Sequence, residues 1–261
     1  MPLILLSAEI LAALQSGQAL HDDLSRVDLG GKALPQAQLH QAQLIGANLT
    51  ATNLQGADLR AADLRGAIAR AANLQGANLQ GACLNRVDLR QANLNQADLT
   101  DANLKGAIYD AETRFPEGFS YQSSGAIGPG ASLAGAFLNT AQLRNIDLTG
   151  ANLLGAYLSG TDLTGATLTD VRLSGADLRR SFLTGASLRG ARLNGADLSG
   201  ADLRATDCTD TQLEGLVSIA GADFSRAELS PTNRALLLSR PYMELDVWNA
   251  YTRKTTRDSL A

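Results

Sequence analysis

The stretch Ala47-Asn48-Leu49-Thr50-Ala51-Thr52-Asn53-Leu54-Gln55-Gly56-Ala57-Asp58-Leu59 decides the fold. A leucine returns every fifth residue, with Asp or Asn before it, a small residue two places before it, and two polar or glycine residues after it. Counted on the leucine, the beat runs from Leu24 to Tyr109, resumes from Leu133 to Leu213, and closes on Phe224 and Leu229. Of these 37 centres 33 are Leu, so every unit asks for the same side-chain shape at the same place. A period of five suits neither regular element. On an α-helix each step rotates about 140° past the last, and the leucines circle the axis without forming a stripe. On a strand the odd step throws successive leucines to opposite faces. A chain that turns a corner once per unit brings them all to one axis. Small residues then let the walls approach, and Asp or Asn suits the corners because its side chain bonds nearby backbone.

The runs Ala47-Asn48-Leu49, Ala57-Asp58-Leu59, Ala97-Asp98-Leu99 and Ala201-Asp202-Leu203 resemble the pentapeptide-repeat superfamily, and the likeness covers 22–109 and 131–229. The resemblance implies an all-β solenoid, a right-handed quadrilateral β-helix with about four units per coil. At about 4.8 Å between neighbouring strands, about nine coils would make a post roughly 45 Å long. A solenoid needs capped ends, which divides the chain into five expected parts. These are an N-terminal helical cap 1–21, a first repeat block 22–109, an inserted loop 110–130, a second block 131–229 and a C-terminal helical cap 230–261. Ser7, Glu9 and Gly17 punctuate the first cap as a short helix. Ser230 followed by Pro231 opens another helix, which carries Leu237. Pro241 introduces a further one with Met243, Leu245, Trp248 and Tyr251. That apolar set reads as a cap surface or as a dimer contact, so the chain is expected to be a monomer or a weak C-terminal dimer.

The interruption at 110–130 has the chemistry of a loop, with Pro116, Gly118 and the run Gly128-Pro129-Gly130. It also gathers rings that the repeats avoid: Phe115, Phe119 and Tyr121, beside Tyr109. A candidate ledge follows. Phe137 and Tyr157 both point outward and lie 20 residues, one coil, apart, so they should stack. Leu154 stands at the corner beside them and Phe182 on the next face. Two readings stay open: the loop folds back and covers Phe137, or loop and ledge together form a partner-binding patch. Elsewhere the outward residues read as solvated faces. Asn53, Asn73 and Asn93 should bond one another up the coil, and Arg172 and Arg192 stack one coil apart.

Composition bounds the function. The net charge of −4 implies no charge-driven partner. Cys208 falls on a centre and should be buried and inert; Cys83 points outward. The apolar start lacks the basic residues of a signal peptide, and no stretch reaches membrane-spanning length, which gives a cytoplasmic expectation. No nucleophile accompanies His21 or His40, and no phosphate loop or metal-ligand spacing occurs, so no catalytic, cofactor or metal site is expected. Some pentapeptide-repeat proteins mimic DNA and act on type II topoisomerases. Duplex DNA carries about one charge per 1.7 Å, so a mimic roughly 45 Å long would want about 26, which disfavours that reading here. The Phe115-Pro116-Glu117-Gly118-Phe119 interruption and the Trp248-Asn249 ending resemble cyanobacterial pentapeptide-repeat proteins, some of which regulate heterocyst differentiation by binding proteins. The resulting expectation is a non-enzymatic adaptor for an unidentified protein partner, with no small-molecule substrate, nucleic acid or membrane.

Overall fold

Each five-residue unit folds as one short extended step and one turn. Leu34 N donates to Asn53 O at 2.7 Å, and Asn53 N donates to Lys32 O at 2.9 Å. The resulting parallel bridge continues through Asn73 and Asn93, each 20 residues from the last, so four units complete a coil. The turn closes when Ala37 N donates to Leu34 O at 3.3 Å. Pro35 and Gln36 sit at its middle, and Gln36 has φ +59°. Pro at the first central place and positive φ at the second mark a type II turn. This explains why glycine recurs there, as at Gly56 with φ +66°. Ala61 holds the same conformation, φ +52°, at a strain of about 1–2 kcal/mol. Where Asp or Asn precedes the leucine it finishes the corner: Asn53 Oδ1 accepts from Gln55 N at 3.1 Å, and Asp58 Oδ1 from Arg60 N at 3.2 Å.

The computed structural model describes residues 8–16 and 23–261. They form two compact units, Met1–Ile127 and Gly128–Ala261. In both, the leucines line the axis: Leu29, Leu34 and Leu39 in the first and Leu153, Leu163 and Leu173 in the second are wholly buried. Each contributes about 2 kcal/mol of hydrophobic stabilisation. Ala37, Ala42 and Ala151 are buried beside them. The small slot also admits Thr where the hydroxyl finds a carbonyl; Thr52 Oγ1 donates to Leu29 O at 2.7 Å and Thr211 Oγ1 to Leu188 O at 2.8 Å. Cys208 fills a centre, 1% exposed, and burial pushes its thiol up to about 11. Cys83 is free and half-buried.

The beat gains one residue after Tyr109 and again after Leu213. In the first unit Arg114 bridges Asn93, and Leu94 N donates to Arg114 O at 2.7 Å. Thr113, Arg114 and Phe115 therefore occupy the small, pre-centre and centre places, six residues after Tyr109 instead of five. Ile127 returns to the ladder opposite Ile108. In the second unit Ser218 bridges Asp197 and Ile219 is fully buried, six residues after Leu213. A strict count of five passes over both Phe115 and Ile219.

Helix α1 spans Ala8–Gln15 with Glu9 in its first turn and Leu14 buried. Ser7, Gly17 and His21 lie outside the described residues. Beyond Leu229 the chain forms α2 (Pro231–Leu238), α3 (Tyr242–Leu245) and α4 (Thr256–Leu260). Ser230 caps α2 by accepting from Asn233 N at 3.1 Å. This segment supplies the last coils with hydrogen-bond partners: Asn233 Nδ2 donates to Thr211 O at 2.8 Å, Thr256 Oγ1 to Ile219 O at 3.0 Å, and Phe224 N to Ser259 Oγ at 3.0 Å. Between α3 and α4 a hairpin pairs Trp248 with Thr255, and Asn249 Nδ2 donates to Gly221 O at 2.8 Å.

Candidate protein-interaction surface

The ledge residues belong to the second unit. Phe137 and Tyr157 form adjacent rungs of one parallel ladder, which holds their rings 4.7 Å apart and within 3° of parallel. Phe137 is 81% exposed and Tyr157 44%, with Leu154 also exposed at the neighbouring corner. Of the two readings left open for Phe137, covered or displayed, the ring stands open. Phe182 differs. The edge of Tyr251 meets it at 5.0 Å, so it is half-buried by the C-terminal hairpin and does not share the open step.

The loop rings belong to the first unit, and they bury one another. Phe115 stacks on Tyr121 at 4.6 Å and 5°, Tyr109 meets both edge-on at 5.5 and 5.4 Å, and Phe119 lies 5.9 Å from Phe115. Such pairs are favourable by about 0.5–1.5 kcal/mol beyond their area. The physical reason is the slip itself. Phe115 takes a centre place out of step with the beat, and the loop that follows lays Phe119 and Tyr121 against it. Among the C-terminal candidates Leu237 and Leu245 turn inward, 1% exposed each, while Met243, Trp248 and Tyr251 are exposed.

The charged faces are muted by local pairing. Wherever Asp-Leu-Arg occupies the pre-centre, centre and following places, the arginine folds back on the aspartate: Arg60 on Asp58 at 2.6 Å, Arg65 on Asp63 at 2.6 Å, Arg179 on Asp177 at 2.7 Å, and Arg204 on Asp202 at 2.7 Å. Hydrogen bonds from these arginines hold the Asp58, Asp63 and Asp177 carboxyls below the usual range. Asp88 faces both Arg70 and Arg90 at 2.6 Å, yet burial pushes its carboxyl up. Exposed pairs of this kind add little stability, but they cancel charge along the faces. The amide ladder forms as expected, with Asn73 Nδ2 donating to Asn53 Oδ1 at 3.2 Å and Asn93 Nδ2 to Asn73 Oδ1 at 3.4 Å. His40 is half-buried, and its Nδ1 finds no partner among the described residues.

The family model for pentapeptide repeats matches the sequence between 23 and 108 and again between 129 and 215. The chain belongs to the pentapeptide-repeat family. Known structures of this family are right-handed quadrilateral β-helices, and the 20-residue spacing of the bridges here agrees with four sides per coil. Among solved structures the chain is similar to HetL, a pentapeptide repeat protein involved in heterocyst differentiation regulation from the cyanobacterium Nostoc sp. strain PCC 7120. Identity is 28%, over 84% of this chain and 96% of HetL, at a TM-score of 0.26. A pentapeptide repeat protein from the Arabidopsis thaliana thylakoid lumen is 31% identical over 51% of this chain and 88% of its own, at a TM-score of 0.27. QnrB1, a plasmid-mediated fluoroquinolone resistance protein, is 19% identical over 82% of this chain and 94% of its own, at a TM-score of 0.27. No curated protein sequence matches the chain. Among the described residues no helix is long and apolar enough to cross a membrane.

Proposed function

We propose that this pentapeptide-repeat protein is a non-enzymatic, regulatory protein–protein adaptor that contacts its partner through the Phe137–Tyr157 step, with Leu154 at its margin. The observation that carries the reading is the stacked, open ring pair at 4.7 Å. An exposed ring forgoes about 1.5–3 kcal/mol that burial would supply, and a partner can recover it. Because the ladder already fixes both rings, binding loses little side-chain freedom. HetL, a relative involved in regulating differentiation, supports the regulatory part. The same reading takes the winding as right-handed, the terminal helices as end caps and the protein as cytoplasmic, with no cofactor.

A pull-down with Phe137→Ala/Tyr157→Ala against the unaltered chain tests the site. Loss of specific prey at an unchanged melting temperature is expected; identical prey would remove the step from the account. DNA mimicry is the rival, and the arginine-clamped aspartates speak against it. Purified gyrase should therefore supercoil DNA at the same rate with and without the protein.

A further inference from the structure

A separate recess lies wholly within the second unit, where Arg180, Gly200 and Ala220 stack in successive coils. The C-terminal hairpin forms its other wall through Val247, Trp248 and Tyr251, and the space is about 500 Å³. That is within the range of ligand-binding clefts. Gly200, φ +68°, makes the floor; a methyl group there would meet Arg180 Cγ at 3.3 Å. The missing side chain lets the stem of Arg180 lie across the corner. The floor's main chain is already engaged, with Gly200 N donating to Ala220 O at 2.9 Å and Gly200 O accepting from Asn249 Nδ2 at 3.3 Å. Recognition is left to the side chains.

Those side chains are exposed and unspent. Trp248 and Tyr251 are 65% and 57% exposed; the bridge to Thr255 holds the main chain of the first, and the ring contact with Phe182 holds the side chain of the second. Arg179 is clamped by Asp177, whereas the side chain of its neighbour Arg180 makes no ion pair or hydrogen bond among the described residues. Trp, Tyr and Arg are the residue types most enriched where binding energy concentrates. An uncompensated guanidinium lining the same recess as two exposed rings asks for an anion joined to an apolar group.

We propose that this recess docks an acidic linear segment of a protein partner, one carboxylate on the Arg180 guanidinium and an apolar side chain between Trp248 and Tyr251. The site is distinct from the Phe137–Tyr157 step, so either can fail without the other.

The probe is a phage-displayed library of random 12-residue peptides panned on the full chain, with selected peptides then measured by fluorescence anisotropy. Enriched sequences should place Asp or Glu within about three residues of an aromatic or large aliphatic residue. Their binding should weaken about tenfold in Arg180→Glu and in Trp248→Ala, fall with added salt, and stay unchanged in Phe137→Ala. Arg180→Gln removes only the charge of an exposed side chain and carries the test if Trp248→Ala lowers the melting temperature. No enrichment, or equal binding by Arg180→Glu, overturns the proposal. A dimer in light scattering that Trp248→Ala dissolves also overturns it, because a second copy would then fill the recess.

Discussion

At Tyr109 and again at Leu213 the chain takes six residues where five are normal, and the two slips are mended over very different distances. In the first unit the mend is local. Asp110 Oδ1 accepts from Gln91 N at 3.0 Å, replacing the carbonyl used at regular corners, and it also accepts from Glu112 N at 3.1 Å and Thr113 N at 3.0 Å. In the second unit the extra residue falls in the last coil, where no further coil follows to pair Leu216 O, Val217 O and Ile219 N. Arg240 donates to the two carbonyls at 2.9 and 3.0 Å, and Glu244, paired with Arg240 at 2.7 Å, accepts from Ile219 N. One slip is closed by a side chain beside it and the other by side chains more than twenty residues on. Backbone groups in a buried wall must find partners, and where the period breaks or the coils end, side chains supply them.

The sharpest break in that comparison is Arg240→Ala. It should destabilise the second unit by about 2–4 kcal/mol, since two carbonyls and the Glu244 carboxylate lose their partner together. Urea melts followed by Trp248 fluorescence would measure it. Asp110→Ala should act on the first unit alone, by about 2 kcal/mol, with faster amide exchange at Gln91 and Thr113. Asp110→Asn keeps the accepting oxygen and should recover most of the loss. A drop of equal size and place from both substitutions would erase the distinction between near and distant repair.

Acid sharpens the contrast further. Burial raises the Glu244 carboxyl, but donation from Arg240 and from Ile219 N outweighs it, and the group rests below its ordinary value. A carboxylate depressed in the folded state stabilises above its unfolded value of about 4.3, and that contribution is lost as pH falls through the folded value. Exchange at Ile219 should therefore accelerate below about pH 4. An exchange rate that tracks only the intrinsic pH dependence would separate Glu244 from the mend. The smallest effect belongs to the regular corners. Ala61→Gly relieves positive-φ strain and should raise stability by about 0.5–1 kcal/mol, after the greater freedom of glycine in the unfolded chain is offset. Thermal melts would resolve it.

Much of this was legible in the residues. Leu49, Leu54 and Leu59 announce the axis, Asn53 and Asp58 the corner bonds, and the 20-residue spacing of Phe137 and Tyr157 the stacking of their rings. Phe115 was hidden as a loop ring, although Thr113-Arg114-Phe115 keeps the small, polar, apolar order and only arrives one residue late. Ile219 was hidden the same way. The partnership of Phe182 with Tyr251 had no signal at all, because nothing periodic relates a repeat face to the hairpin after Trp248. Leu237 and Leu245 could be seen as apolar, but not sorted from Met243 and Trp248 as inner against outer.

The sequence by itself determined which side chains face the axis, where the chain turns and which outward residues share a column, since a repeated local rule needs no distant partner. Tertiary structure decided how each slip is mended, which rings remain open, and where Arg180 meets the hairpin. These depend on hydrogen bonds and contacts made by groups far apart in the chain, and no period of five encodes them.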